Sequence, residues 1–287
     1  GRTPSLIRNN ERKNVVIGLD LNREGFTAHV MNLCGHVLKE YTEDITYEGK
    51  EELLRKILAF TRKAVDAYRE KNIRSIGIAM QGVLDVEKGI SVKFPHCPDW
   101  KDVPIKEIME REFGKDVFVE HDPNCMLYRK LRDEESENML LFRLDRSIGM
   151  AASVNGEILR GNGLLEVAHC IVVPDGKRCK CGKKGCIEAY LAPSLSSEGK
   201  NDQSLKELLG PLAVLLYNMV KVFHSDTVIV TGKLVKYREA FEKELLAGFY
   251  QYCERDEVDI KLAEENGLAV EGAALIAVQG AIDRLRI

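Results

Sequence analysis

Between Glu166 and Glu188 the chain reads Glu-Val-Ala-His-Cys-Ile-Val-Val-Pro-Asp-Gly-Lys-Arg-Cys-Lys-Cys-Gly-Lys-Lys-Gly-Cys-Ile-Glu. One imidazole, His169, and three thiols, Cys179, Cys181 and Cys186, form a donor set suited to tetrahedral zinc. Gly182 and Gly185 free the backbone to fold three sulfurs onto one point while the intervening lysines stay in water. The competing reading is buried structural cysteines or a disulfide, and thiols one residue apart are poorly placed to bond each other. Cys170 is the alternative fourth ligand. A carboxylate flanks the cluster on each side, Glu166 and Glu188, and ionised carboxylates are acceptors able to fix hydroxyl groups. A second polar group closes an apolar run at Val117-Phe118-Val119-Glu120-His121-Asp122, where Pro123-Asn124 turns into a helix through about Leu131. Ligands bind at such strand ends in α/β sheets. Asp122 there is either a functional carboxylate or a cap for the helix.

These segments resemble the ROK family (repressor, open reading frame, kinase) of sugar kinases and sugar-responsive repressors. The family hallmark is Glu-x-x-Gly-His followed by Cys-x-Cys-Gly-x-x-Gly-Cys-x-Glu, and Glu166, His169, Cys179, Cys181, Gly182, Gly185, Cys186 and Glu188 match it in order. The resemblance covers nearly the whole chain. It implies an α/β fold of the actin-like, ribonuclease H-like kind: a two-lobed sugar kinase with mixed sheets flanked by helices. It also implies a monosaccharide in the interlobe cleft, contacted by His121, Asp122, Glu166, His169 and Glu188. A structural Zn2+ on His169, Cys179, Cys181 and Cys186 would orient His169, which offers its other ring nitrogen to the sugar. Asp122 matches the family's general base, which takes a proton from the attacking sugar hydroxyl. That role is catalytic only in a kinase supplied with ATP and Mg2+. His121 stands where the family has Asn, which leaves the identity of the sugar open.

The nucleotide motifs depart from the kinase pattern. Asp20-Leu21-Asn22-Arg23-Glu24-Gly25 replaces Asp-x-Gly-Gly-Thr-Lys, so Asp20 alone is kept and Glu24 brings a carboxylate toward the phosphates. At an effective dielectric of about 20 such a pair ~4 Å apart costs on the order of 4 kcal/mol. Asp145-Arg146-Ser147-Ile148-Gly149 replaces the phosphate loop Gly-Thr-Gly-x-Gly, with Gly149 remaining. Thr231-Gly232-Lys233 stands where kinases place Gly-Gly beneath the adenine, with Gly232 remaining. Leu164 to His169 replaces Ala-Gly-Glu-Ile-Gly-His and loses both glycines. The sugar side is thus largely kept and the nucleotide side largely lost. The repressor branch is favoured, with an ATP-dependent sugar kinase acting on a hexose or N-acylated hexosamine as the alternative.

The elements that must carry these groups follow from hydrophobic period. Val15–Asp20, Phe26–Leu33 and Val37–Tyr41 read as a three-stranded meander. Residues 50–71 read as an amphipathic crossover helix, Ile73–Met80 as the next strand, and 94–103 as a loop anchored by Trp100. Met139–Leu144 and Met150–Val154 are paired strands, followed by the two-residue hairpin signal Asn155-Gly156. Residues 194–201 form a polar loop. Leu205–Phe223 reads as a helix interrupted near Gly210-Pro211, Thr227–Val230 as a buried strand, Tyr237–Phe249 as a surface helix, and Gly272–Arg286 as a small-residue closing helix.

At 287 residues, 45% hydrophobic and 30% charged, the chain can bury two cores of ordinary domain size. The division expected is a linker at 1–14, a first lobe at 15–120 joined by the closing helix 272–287, and a second lobe with the zinc knuckle at 121–271. The segment Gly1 to Asn14 resembles the Gly-Arg-x-Pro stretch that joins a winged helix-turn-helix to the body of ROK repressors. A net charge of -3 argues against a broad basic footprint, so operator DNA would be met only through a preceding DNA-binding domain. No run of 18 apolar residues or signal peptide is present, which makes the cytoplasm the default compartment. Of eight cysteines three have metal spacing, and Cys34, Cys97, Cys125 and Cys253 read as buried thiols of a reducing compartment. The family implies a homodimer or homotetramer.

Overall fold

The computed structural model describes residues 13–23, 25–95, 97–160, 165–191, 202–254 and 257–284. Expectations placed on 1–12, Glu24, 161–164, 194–201 and 285–287 lie outside the described residues. The chain divides into two compact units, Gly1–Cys125 with Ala269–Ile287, and Met126–Leu268.

The first unit is built on strands β1 (Asn14–Leu21), β2 (Gly25–Asn32), β3 (Val37–Asp44), β4 (Asn72–Met80) and β7 (Asp116–His121), in the order β3-β2-β1-β4-β7. The three meander strands pair antiparallel, whereas β1-β4 and β4-β7 are parallel. β1 is central because both of its faces are apolar. Val15, Ile17, Leu19 and Leu21 join one core with α1 (Lys50–Ala67), while Val16 packs with Ala274 and Ala277 of α6 (Leu268–Asp283). Strands covered on both faces need such continuous apolar runs. Gly18 and Gly77 are register partners on β1 and β4, and a Cβ on either would overlap the α6 backbone at Val270 or Ala273. The paired glycines therefore set how closely α6 lies on the sheet.

Three short elements escape the hydrophobic-period reading: the hairpin β5 (Val83–Asp85) and β6 (Ile90–Lys93), and helix α2 (Ile105–Phe113). α1 ends at Ala67, not near residue 71. Trp100 is 1% exposed and donates its ring N–H to Ser91 Oγ at 2.9 Å, an anchor for the loop as the sequence suggests.

The second unit repeats the plan. β8 (Met139–Leu144), β9 (Ile148–Val154), β10 (Glu157–Ile158), β11 (Thr227–Thr231) and β12 (Asp259–Leu262) lie in the order β10-β9-β8-β11-β12. The β10-β9-β8 pairs are antiparallel and the β8-β11-β12 pairs parallel. Two copies of this mixed sheet, each with crossover helices, constitute the ribonuclease H-like, actin-like arrangement. Asn155 and Gly156 both take positive φ, 52° and 76°, as a tight hairpin requires. α4 (Asp202–Phe223) and α5 (Arg238–Phe249) cover the sheet, with α3 (Asp122–Lys130) between β7 and β8.

Two expectations need correction. α4 is not interrupted near Gly210-Pro211; it is one 22-residue helix with Pro211 inside. Leu205, Leu208, Leu209, Leu212, Leu215 and Leu216 are all buried along it. Each such burial is worth about 1.5–3 kcal/mol, which together exceed the roughly 3 kcal/mol cost of a proline inside a helix. Cys34 is exposed and not buried, because it lies in the β2–β3 turn, where Asn32 Oδ1 accepts its amide at 3.0 Å.

Candidate metal centre and ligand site

The segment after β10 folds as a knuckle through local backbone bonds. The Gly185 amide donates to Lys177 O at 2.8 Å, Cys179 to Lys183 O at 2.8 Å, and Gly182 to Cys179 O at 3.0 Å. Gly182 and Gly185 adopt φ of 90° and 79°, and a Cβ at 185 would overlap the Val173 carbonyl. The donor atoms of His169, Cys179, Cys181 and Cys186 lie within 4.8 Å of one another. With Zn–S of about 2.3 Å and Zn–N of about 2.0 Å, a tetrahedron separates two sulfurs by about 3.8 Å and sulfur from nitrogen by about 3.6 Å. The protein places Cys181 Sγ 3.6 Å from Cys186 Sγ, and Cys179 Sγ 3.6 Å from His169 Nδ1. That is far beyond a disulfide bond and fits a metal of zinc's size. Cys170, the alternative fourth ligand, is not among the four donors grouped here. The Lys183 amide donates to Cys181 and favours its thiolate, whereas burial pushes the Cys186 thiol up to about 11 when no cation is bound. A cation is what would offset that second cost.

The knuckle ties the two carboxylate-bearing segments together. The Glu188 amide donates to Ala168 O at 3.0 Å and Ile187 to Cys170 O at 3.1 Å. Exposed Glu166 accepts the Ala168 amide on Oε1 at 3.0 Å. Glu188 is half-buried, and its carboxyl is raised by burial; the Ser147 hydroxyl, which donates to Oε2 at 3.0 Å, opposes this most, and the nearby Ile148 amide acts in the same direction. Glu166, His169 and Glu188 are close enough to interact electrostatically. Since His169 turns Nδ1 toward the sulfurs, Nε2 remains as its second polar atom. The second unit thus gathers three of the five expected sugar contacts.

The other two, His121 and Asp122, belong to the first unit, at the end of β7 and the start of α3. Glu120, His121, Asp122 and Asn124 are all buried. Glu120 Oε1 accepts the His121 amide and Asn124 Nδ2, each at 2.9 Å, which ties the strand end to the helix start. The His121 ring is 2% exposed, and neither nitrogen has a hydrogen-bond partner among the described residues. Burial lowers its pKa, so the ring is neutral near pH 7 and offers one donor and one acceptor.

At the positions of the kinase phosphate motifs the backbone is already occupied. Asp20 pairs with Thr27 and Ala79 in the sheet. In the turn beyond it, Asn22 Oδ1 accepts the Gly25 amide at 3.0 Å. Gly149 is an extended ladder residue opposite Arg143. Gly232, at φ 108°, packs on the Leu144 backbone. Beside the turn, Asp145 lies 3.3 Å from Lys233 Nζ and 3.4 Å from Arg143, and Arg143 also pairs with Glu265. Neither this ion network nor Ser147 is visible in the sequence, since their partners are remote in the chain.

The family model described as "ROK family" matches residues 16–194. A glucokinase of Thermotoga maritima is 31% identical over 180 residues, covering 61% of this chain and 56% of that protein. A xylose repressor of Caldicellulosiruptor bescii is 24% identical over 289 residues, covering 85% of this chain and 72% of the repressor. The chain therefore spans just over half the length of that glucokinase. Among solved structures, a ROK hexokinase from Thermus thermophilus superposes with TM-score 0.80 over 94% of this chain and 99% of its own, at 23% identity.

Proposed function

Because the chain belongs to the ROK family, we propose that it is the sugar-sensing, effector-binding and oligomerisation body of a transcriptional repressor of that family. It binds a monosaccharide or derivative and reaches operator DNA only through a domain outside this sequence. The observation that carries this reading is the contrast between the two sets of motifs. Glu166, His169 and Glu188 keep polar atoms for hydroxyl groups, whereas the Gly25 amide, at the position of the first phosphate-gripping loop, is taken by Asn22. Asp145 adds a carboxylate against Lys233 and Arg143 at the same turn, where a nucleotide phosphate would need those cations uncompensated.

In this reading zinc is the metal of the knuckle and its role is structural. His169 is held through Nδ1 and donates or accepts at Nε2, while Glu166 and Glu188 accept from sugar hydroxyls. In the first unit Asp122 offers a carboxylate and His121 a neutral ring at the end of β7, the positions the family motif assigns to sugar contacts. A site that hydrogen-bonds hydroxyls rejects analogues that lack them, because its own polar groups are then left unpaired. The xylose repressor, aligned over most of this chain, supports the assignment, and cytoplasmic placement and a homodimer or homotetramer go with it. For association, Tyr252 and Val222 are exposed on the second unit, with the Tyr252 ring 5.6 Å from that of Tyr217 and tilted 42° to it.

A second reading is favoured by the glucokinase at 31% identity. An ATP- and Mg2+-dependent sugar kinase would use Asp122 as general base, with Asp20, Gly149 and Gly232 as what remains of the nucleotide site. Incubation with ATP, Mg2+ and a panel of hexoses, pentoses and N-acylated sugars separates the two. No ADP above background is expected, and turnover at about 1 s⁻¹ or faster would establish the kinase instead. No described helix is long and apolar enough to cross a membrane.

A further inference from the structure

We propose that Ser147 is a positioning residue for sugar binding, and that the β8–β9 turn serves to hold the Glu188 carboxylate. This rests on the sugar-binding reading above. Ser147 lies 41 residues before Glu188 in the chain, and its hydroxyl donates to Oε2 at 3.0 Å. An ionised carboxylate has about four acceptor sites. A donor from a fixed turn restrains its torsions and leaves the remaining lone pairs for ligand hydroxyls, so Glu188 has less rotamer freedom to surrender on binding.

Both ends of this contact are themselves anchored. Leu144 and Ile148 are the last ladder pair before the turn, and the Asp145 amide donates to Ser147 O at 3.2 Å. Asp145 is held in turn by Lys233 and Arg143. On the other side the Glu188 backbone is bonded to Ala168. A flexible glutamate on a loose loop would have neither restraint.

The test is calorimetric titration of D-glucose, D-xylose and N-acetyl-D-glucosamine into wild type, Ser147→Ala and Ser147→Thr, each also in a Glu188→Gln background. Ser147→Ala is expected to weaken whichever of these sugars the wild type binds by about 5- to 20-fold. Ser147→Thr, which keeps the hydroxyl, restores affinity to within about 2-fold, and Ser147→Ala adds little once Glu188 is Gln. Metal content and melting temperature stay at wild-type values in Ser147→Ala. Equal affinities for Ser147→Ala and wild type, or a full loss that persists beside Glu188→Gln, would overturn the proposal. If the wild type binds none of the three sugars, it is the sugar-binding reading that fails. Amide hydrogen exchange across the β8–β9 turn then decides the contact itself: faster exchange at Asp145 and its turn neighbours in both Ser147→Ala and Glu188→Ala supports it, and unchanged rates remove it.

Discussion

Cys181 is the exposed member of the thiol triad, so replacing it disturbs the metal more than the core. Cys181→Ser is expected to lose the metal and, with it, several degrees of melting temperature and most of the sugar affinity, because Cys186 and His169 lie on the segments that carry Glu188 and Glu166. Elemental analysis with calorimetry checks this, and a metal-free variant with wild-type melting and affinity would contradict it. A pH effect belongs to the same scale. His121 is lowered from its ordinary 6.5 by burial against the weaker attraction of Glu120, and His29 by burial against Glu40 and Glu271. Below 6.5 the unfolded chain therefore binds more protons than the folded one, so stability is full above about 6.5 and falls as pH drops through the folded values. Each histidine contributes at most about 1.4 kcal/mol per pH unit. Urea midpoints should fall between about pH 7.5 and 5, and His121→Asn should flatten part of that fall. A profile that His121→Asn leaves unchanged would mean that His121 is protonated as readily when folded. The grouping of the three thiols could be read in the sequence because a knuckle is local: three sulfurs and two glycines within Cys179–Cys186 state their own geometry, and His169 joins them. Ser147 could not, since one serine in a three-residue turn carries no sign of a partner beyond β10.

At the scale of elements, the long periodic stretches were legible and the short ones were not. β1 and β4 announce themselves by apolar runs, and α1 by its amphipathic spacing. α2 has nine residues and β12 four, too few for a period to stand out from the polar sequence around them. Pro211 was read locally as a break, and the tertiary burial of the leucines on α4 overrides it. The register of Gly18 against Gly77 was also hidden, because pairing across a sheet is not a property of either strand alone. It has a measurable consequence. Gly77→Ala puts a methyl group into the Ala273 carbonyl, where backbone and not a flexible side chain must move. Destabilisation of about 1–3 kcal/mol or more is expected in chemical denaturation. A change of a few tenths would mean that α6 can lift from the sheet without penalty.

Over the whole molecule, two sheets of one strand order are built from sequences that share no evident repeat. Mixed-sheet topology constrains where apolar residues fall and leaves their identities open, so the fold emerged from element order and from the family motif. Function follows the same division, since the fold hosts both sugar kinases and repressors and only particular residues separate them. In the proposed reading those residues are the turns at Asn22–Gly25 and Asp145–Ile148 and the carboxylates around the knuckle. Thermal melting against a panel of hexoses, pentoses and N-acylated sugars, with and without ATP and Mg2+, examines both halves at once. A bound sugar at 100 times its dissociation constant adds about 2.7 kcal/mol, or roughly 5 °C. The expected result is a shift of that size with at least one sugar and no further shift with ATP and Mg2+; a shift with ATP and Mg2+, or none with any sugar, would contradict a sugar-sensing body that has given up its nucleotide.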